Sequence, residues 1–274
     1  MLGKLMKHEF IATWKVFVLL DVVMILAGII AGLVAYNLPL FEEWPDPLIA
    51  VLTLGFFGFI FLLVACVVLT FVYIVVRYYK SLYTHEGYLT FTLPATTTEV
   101  LSSKMITSMI WQILCALSLF LGLIALATGF IGLGSRAGDI DMGPLYAEVY
   151  SNFCDMFGFD NIGRLVLYLV SCIAGMAFNL LTFFLAITLG QLWQQHKVLG
   201  SVIFYFMIRF VLGIIGLFIT LGSGTFRMLL DNVDLSSAEY FQRVFSQGLV
   251  SNLILGAIFY FLCIFVTNRR LNLD

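Results

Sequence analysis

Six stretches of about twenty or more mostly apolar residues follow one another along this chain. They run from Val16 to Tyr36, Leu48 to Val76, Met105 to Leu133, Leu165 to Gly190, Val198 to Gly222 and Leu249 to Thr267. A helix crossing a ~30 Å hydrocarbon core takes roughly 20 such residues, so each stretch is long enough to span a bilayer. A transmembrane strand needs only about 10 residues and alternates apolar with polar positions; these runs are longer and do not alternate. The expectation is an all-α integral membrane protein with six transmembrane helices. Composition agrees, since 62% of the 274 residues are hydrophobic and 11% charged, against about 25% charged in a soluble domain. The 27 Phe and 12 Tyr suit lipid-facing helix surfaces and interfacial belts.

The few charges orient the spans, because Lys and Arg accumulate on the cytoplasmic side. One set of chain ends and connections carries nine basic residues: Lys4, Lys7, Lys15, Arg77, Lys80, Lys104, Lys197, Arg269 and Arg270. The opposite set carries four, Arg136, Arg164, Arg227 and Arg243, together with most of the acids, from Glu42 and Glu43 to Asp234 and Glu239. Both N- and C-termini are therefore expected to be cytoplasmic. The net charge of −2 excludes a generally basic nucleic-acid binder, and the relevant partner of the chain's surface is the lipid bilayer.

Residues 1–15 place Leu2, Leu5, Met6, Phe10 and Ile11 among Lys4, Lys7 and Glu9, the pattern of an amphipathic N-terminal helix lying in the inner interface as an elbow before the first span. They lead into a full-length span rather than a short apolar stretch with a cleavage site, so no cleavable signal peptide is expected. Of the five cysteines, Cys66, Cys115, Cys172 and Cys263 fall inside spans and Cys154 outside them. No structural disulfide and no metal site are expected from that placement.

Three connections exceed simple links. In 134–164, Tyr146, Val149, Tyr150 and Phe153 at helical spacing after Pro144 predict a short amphipathic helix. In 223–248, Ser236-Ser237-Ala238-Glu239 followed by Phe241, Val244 and Phe245 predicts a capped helical element or re-entrant hairpin joining spans five and six. The third connection, 77–104, lies between spans two and three on the expected cytoplasmic side. Gly87 is expected to break the helix descending from the second span, Pro94 to stop what precedes it, and Thr96 with Glu99 to start the next helix through a capping box. A short turn-bounded element in that place suits docking into a soluble partner.

Glu86-Gly87-Tyr88-Leu89-Thr90-Phe91-Thr92-Leu93-Pro94, followed by Thr98-Glu99-Val100-Leu101 and Lys104, resembles the coupling-helix region of ABC type-2 transporter permeases. The tail Thr267-Asn268-Arg269-Arg270-Leu271-Asn272-Leu273 is similar to the basic end of bacterial permeases in one branch of that family. The resemblance implies the membrane subunit of a bacterial exporter in the cytoplasmic membrane. It further implies a second permease subunit, in a homodimer or heterodimer, and two cytosolic ATPase subunits that bind ATP and Mg. Docking of the ATPase is then expected at Tyr83, His85, Glu86, Gly87, Tyr88, Leu89, Phe91 and Pro94. This chain carries no phosphate-binding loop of the Gly-x4-Gly-Lys-Ser/Thr kind, since its one Gly-Lys, Gly3-Lys4, is followed by Leu5. It is expected to be a transport subunit and not itself an enzyme, with no cofactor of its own.

Catalytic readings fail on spacing. Glu42-Glu43 resembles the paired glutamates of intramembrane prenyl-protein proteases, but Pro47 stands where an Arg is required, and Glu-Glu-Trp-Pro-Asp-Pro reads as a solvated turn. Gly222-Ser223-Gly224 has no His after His196 to serve as base. His8, His85 and His196 are scattered singly, without ligand spacing.

Arg209 is the anomaly. It lies roughly 17 Å along its helix from Val198, near mid-bilayer, where a charge costs at least ~2.5 kcal/mol. Asp21, about 8 Å into the first span, is the one acid inside these boundaries. Either Arg209 makes a fixed contact, with Asp21 or with backbone carbonyls, or it lines a translocation path and meets an anionic or zwitterionic substrate. Gly28-Ile-Ile-Ala-Gly32 is a small-xxx-small pattern that permits close helix approach, here expected at a dimer seam.

The expected function is export of a hydrophobic or amphipathic substrate (peptide, lipid or drug), with antimicrobial-peptide resistance as one role the family resemblance raises. The alternative is a non-transport sensor or assembly subunit that binds a peptide or partner through its external loops. A secondary transporter is disfavoured by the scarcity of intramembrane carboxylates.

Overall fold

A computed structural model describes residues 2–37, 46–84, 96–136, 142–159, 161–193, 196–223 and 237–270. Among these residues the chain is helical and contains no strand. Seven helices follow in order: α1 (Leu2–Asn37), α2 (Asp46–Tyr83), α3 (Thr97–Arg136), α4 (Met142–Phe157), α5 (Ile162–Gly190), α6 (Lys197–Gly222) and α7 (Ser237–Arg270). All but α4 are long and apolar enough to cross a membrane, which makes six candidate spans among the described residues. In lipid every backbone N–H and C=O must be satisfied within the segment, and helices of this length do so.

Two boundaries differ from the sequence reading. The amphipathic segment 1–15 and the first span form one helix, α1, with no helix break at residue 15. Its inner turns have their own packing partner: Phe10 and Phe17 stack on Trp111 of α3 at 4.5 and 4.7 Å, and the Trp111 indole N–H donates to Thr13 Oγ1 at 3.1 Å. The segment expected to lie in the interface as an elbow is thus continuous with the first span and packed against α3. Likewise the described part of the connection before span six, from Ser237, is no separate cap but the first turns of α7; residues 224–236 lie outside the described residues. The helix expected after Pro144 is present as α4.

The chain divides into two compact units, one of Gly3–Val76 with Ile106–Val149, the other of Met1–Leu2, Arg77–Met105 and Tyr150–Asp274. In the first, Met24, Phe59, Leu63, Cys66 and Cys115 form the buried centre. Contacts between α1 and α3 advance together along both helices, from Phe10 with Trp111 to Tyr36 with Gly132, so these two helices run parallel. That is the direction expected of spans separated by one intervening span.

The closest approach in this unit is between glycines. A Cβ at Gly28 would lie 2.8 Å from the Gly122 carbonyl carbon, and one at Gly129 would lie 2.6 Å from Gly32 Cα. Without a hydrophobic force between helices in lipid, packing of this kind holds them. Gly28 and Gly32, expected at a seam between two copies, therefore face α3 of the same chain. Within one chain, this small-residue face packs on α3.

In the second unit α5 is the central helix: it buries residues from Tyr168 to Gly190, Phe178, Leu180, Leu181 and Phe184 among them, whereas in α6 Gly200 alone is buried. It packs on both α6 and α7. The turn from α4 into α5 needs Gly158, whose φ of 63° is costly for any residue with a Cβ. There the Phe159 N–H returns to the Cys154 carbonyl at 3.1 Å, a helix-closing bond of the Schellman type. Asn161 then caps α5 by accepting from the Gly163 N–H at 2.9 Å. Phe157, Tyr168, Phe241 and Phe245 seal this end of the unit, with ring centroids 4.6 to 6.3 Å apart.

Candidate functional site

The end of the second unit where α2 stops and α3 starts bears on the expected docking element. Helix α2 ends at Tyr83, four residues before Gly87, and the Thr84 hydroxyl turns back to the Lys80 carbonyl. Tyr83 is the one expected docking residue within the described part; His85, Glu86, Gly87, Tyr88, Leu89, Phe91 and Pro94 lie outside it. On the far side, Thr96 and Glu99 close the capping box. The Thr96 backbone N–H donates to Glu99 Oε2 at 3.1 Å, and the Glu99 N–H donates to Thr96 Oγ1 at 3.3 Å. Glu99→Ala and Thr96→Ala should each lower stability by about 1 kcal/mol, read as a fall in the thermal unfolding midpoint. No change in either variant would mean that α3 starts without the box.

Both flanks of this connection are clamped to the rest of their unit. The Tyr78 ring lies flat on Phe184 of α5, centroids 3.8 Å apart and planes at 5°. The Tyr83 hydroxyl donates to Thr188 Oγ1 at 2.9 Å, and Tyr78 reaches the same oxygen at 3.3 Å. Thr188 in turn donates to the Phe184 carbonyl at 2.7 Å, so all polar groups of the trio are used. From α3, Thr97 donates to Asn268 of α7 at 2.6 Å, and Ser102 shares a hydrogen bond with Tyr260 of α7 at 2.7 Å. Tyr78, Leu82, Thr97, Val100, Leu101, Ile264 and Thr267 line a small recess between α2, α3 and α7, with no more room than about one water molecule takes. The described flanks of the connection are thus tied to α5 and α7 by packed rings and hydrogen bonds.

The second group lies along α5 and α6. Arg209 is half-buried; its Nη2 donates to Asn179 Oδ1 of α5 at 2.5 Å, and its Nε donates to the Tyr205 hydroxyl at 3.1 Å. Asn179 is oriented by its own amide, which donates to the Gly175 carbonyl at 2.9 Å. Tyr205 stacks on Phe183 at 4.3 Å, and the guanidinium carbon sits 5.4 Å from the Tyr205 ring centroid. Both hydrogen-bond partners are neutral, and among the described residues of this unit no carboxylate pairs with Arg209. Asp21, in the other unit, is hydrogen-bonded by Ser118. Each intramembrane charge thus has a polar partner inside its own unit.

Sequence reasoning passed over Asn179 and Tyr205. Tyr205 was findable, because residues four apart share a helix face and a Tyr four before an intramembrane Arg is a ready partner. Asn179 carried only the weaker signal of an amide in an apolar run. Lys104, counted with the basic residues of the inner face, is buried at 6% exposure. No group of His, Cys, Asp and Glu that could hold a metal occurs among the described residues, and their cysteines are free.

No family model matches the chain, and no curated protein or solved structure matches it.

Proposed function

We propose that this chain is the membrane-spanning permease subunit of an ATP-driven exporter, with ATP and Mg bound by a separate cytosolic ATPase seated on the connection between α2 and α3. The observation that carries the reading is the clamp on both flanks of that connection. Tyr78 and Tyr83 tie its first flank to α5, and Thr97 and Ser102 tie its second to α7. A docking element has to move span helices without being absorbed by soft structure, and packed bistable interfaces transmit small displacements where loose ones dissipate them. The resemblance of Glu86 to Pro94 to coupling helices, the basic residues flanking that segment, and six apolar helices agree with it. Two such chains, each with an ATPase, would form the exporter, and the cytoplasmic membrane of a bacterium is its expected place.

The test is whether the neighbouring coding region holds an ABC ATPase that co-purifies with the chain, and whether the reconstituted pair carries out ATP-dependent transport. Glu86→Arg and Leu89→Arg should each lose ATPase binding and transport while the chain keeps its thermal midpoint. Intact coupling in both variants would overturn the docking assignment. Failure of any ATPase to co-purify, with capture of a peptide or protein through the 134–164 connection instead, would favour a sensing or assembly subunit.

A further inference from the structure

We infer that Arg209, held by Asn179 and Tyr205, is the recognition point for the anionic group of a lipid-like amphipathic substrate: a carboxylate or phosphate carried on an apolar tail. This rests on the permease reading and specifies its cargo. Arg209 lies roughly 18 Å from one end of α6 and roughly 20 Å from the other, at 1.5 Å per residue. A charge at that depth is costly, and it is retained here against partners that carry no charge. A contact serving packing alone could be made by a neutral amide; a guanidinium at mid-span calls for a counter-charge.

Among the described residues, the geometry leaves three of the Arg209 donors without a partner. Of the five guanidinium N–H groups, the Nε donor goes to Tyr205 and one Nη2 donor to Asn179. The remaining three lie at the Nη1 and Nη2 end, whose paired donors match two oxygens of a carboxylate or phosphate. The group is set in place before any ligand arrives: the Gly175 carbonyl orients Asn179 and the Phe183 ring orients Tyr205. Beside it on α6, Phe206 and Phe210 are 67% and 70% exposed, and Gly213 has nothing within 4 Å of where a Cβ would stand. An apolar tail can lie along that surface while its head meets Arg209. A resting lipid keeps its phosphate near the interface, about half a ~30 Å hydrocarbon core away, so the anion that reaches Arg209 belongs to a molecule in passage.

The experiment uses the full chain, without ATPase, in nanodiscs of phosphatidylcholine. The probe is dansylaminoundecanoate, with its methyl ester as the uncharged match. Arg209→Gln should weaken binding of the carboxylate probe roughly 10- to 100-fold, as loss of a hydrogen bond to a charged group does, and leave the ester unaffected. Arg209→Lys should recover part of the loss. Should Arg209→Gln fail to insert, Arg209→Lys alone decides, because it keeps the charge and loses the paired donors: weaker carboxylate binding with unchanged ester binding supports the proposal.

Fluorescent phosphatidic acid in the same nanodiscs separates the sources. Competition with the carboxylate probe assigns the site to bilayer lipids as well, and its absence to single-tailed anions alone. Equal carboxylate binding by wild type and Arg209 variants would overturn the proposal. So would rescue of Arg209→Gln by Asp21→Asn, which would assign the charge to an ion pair within the protein. Arg209-dependent binding without ATPase coupling would leave the site standing and the exporter reading refuted; coupling without Arg209-dependent binding would do the reverse.

Discussion

Replacing Gly28 with leucine should destabilise the protein by about 3 kcal/mol or more, in the range reserved for changes that force backbones apart. The new Cβ would stand 2.8 Å from the Gly122 carbonyl carbon, a separation that real Cβ atoms do not adopt. What it meets is main chain, which cannot swing aside as the end of a side chain can. Relief requires α1 and α3 to separate, which loosens Leu20, Val23, Ala27 and Ala31 against the buried centre around Met24 and Cys115. Gly129→Leu should act in the same way from the opposite helix, because its Cβ would lie 2.6 Å from Gly32 Cα. The control is Gly58→Leu on α2, where nothing lies within 4 Å of the added atom; it should change stability by no more than about 0.5 kcal/mol. Thermal unfolding in detergent, followed by recovery of monodisperse protein, measures all three. Equal midpoints for the Gly28 and Gly58 variants would refute the close approach.

Tyr78→Ala should cost about 3 to 5 kcal/mol, the usual penalty for removing a fully buried aromatic ring. Tyr78 is 2% exposed and Phe184, on which it lies, 0%, so the lost ring leaves a cavity that its neighbours cannot close. Tyr78→Phe keeps the stack and removes one hydroxyl, for about 1 kcal/mol. Thr188 keeps Tyr83 as donor and the Phe184 carbonyl as acceptor, so no buried group on that side is orphaned. The pair of variants separates packing from coupling. If the clamp relays motion from the docking connection, Tyr78→Phe should retain most substrate-stimulated ATPase activity. Tyr78→Ala, measured well below its lowered midpoint, should lose most of it. Full stimulation in the alanine variant would mean that force reaches the spans by another route.

The legibility of the site followed the range of the interactions involved. Thr96 and Glu99 were readable because a capping box is decided within four residues by backbone donors that have nowhere else to go. The helix α4 was readable from the spacing of Tyr146, Val149, Tyr150 and Phe153, although it starts at Met142, two residues before Pro144. The partner of residues 1–15 was not legible, because charge alternation marks polarity and says nothing of a partner: Phe10, Thr13 and Phe17 find Trp111 about a hundred residues away. The capping box at Ser236 to Glu239 marked where a helix begins but not how far it continues: α7 runs from Ser237 to Arg270 without interruption.

Hydropathy and length, acting residue by residue, determined that the chain forms six apolar helices, and the distribution of Lys and Arg supplied the expected orientation. Glycine spacing announced that some helix would approach α1 closely. Which helix it is depended on the tertiary structure, because Gly28 and Gly32 are complementary to any smooth helix face and only the fold brings Gly122 and Gly129 to theirs. The same holds for Arg209: its depth follows from counting residues, whereas its neutral partners Asn179 and Tyr205 follow from the antiparallel packing of α5 on α6. Local terms are set by neighbours in sequence; a pairing between helices is a choice among many similar faces, and it is made when the whole unit packs.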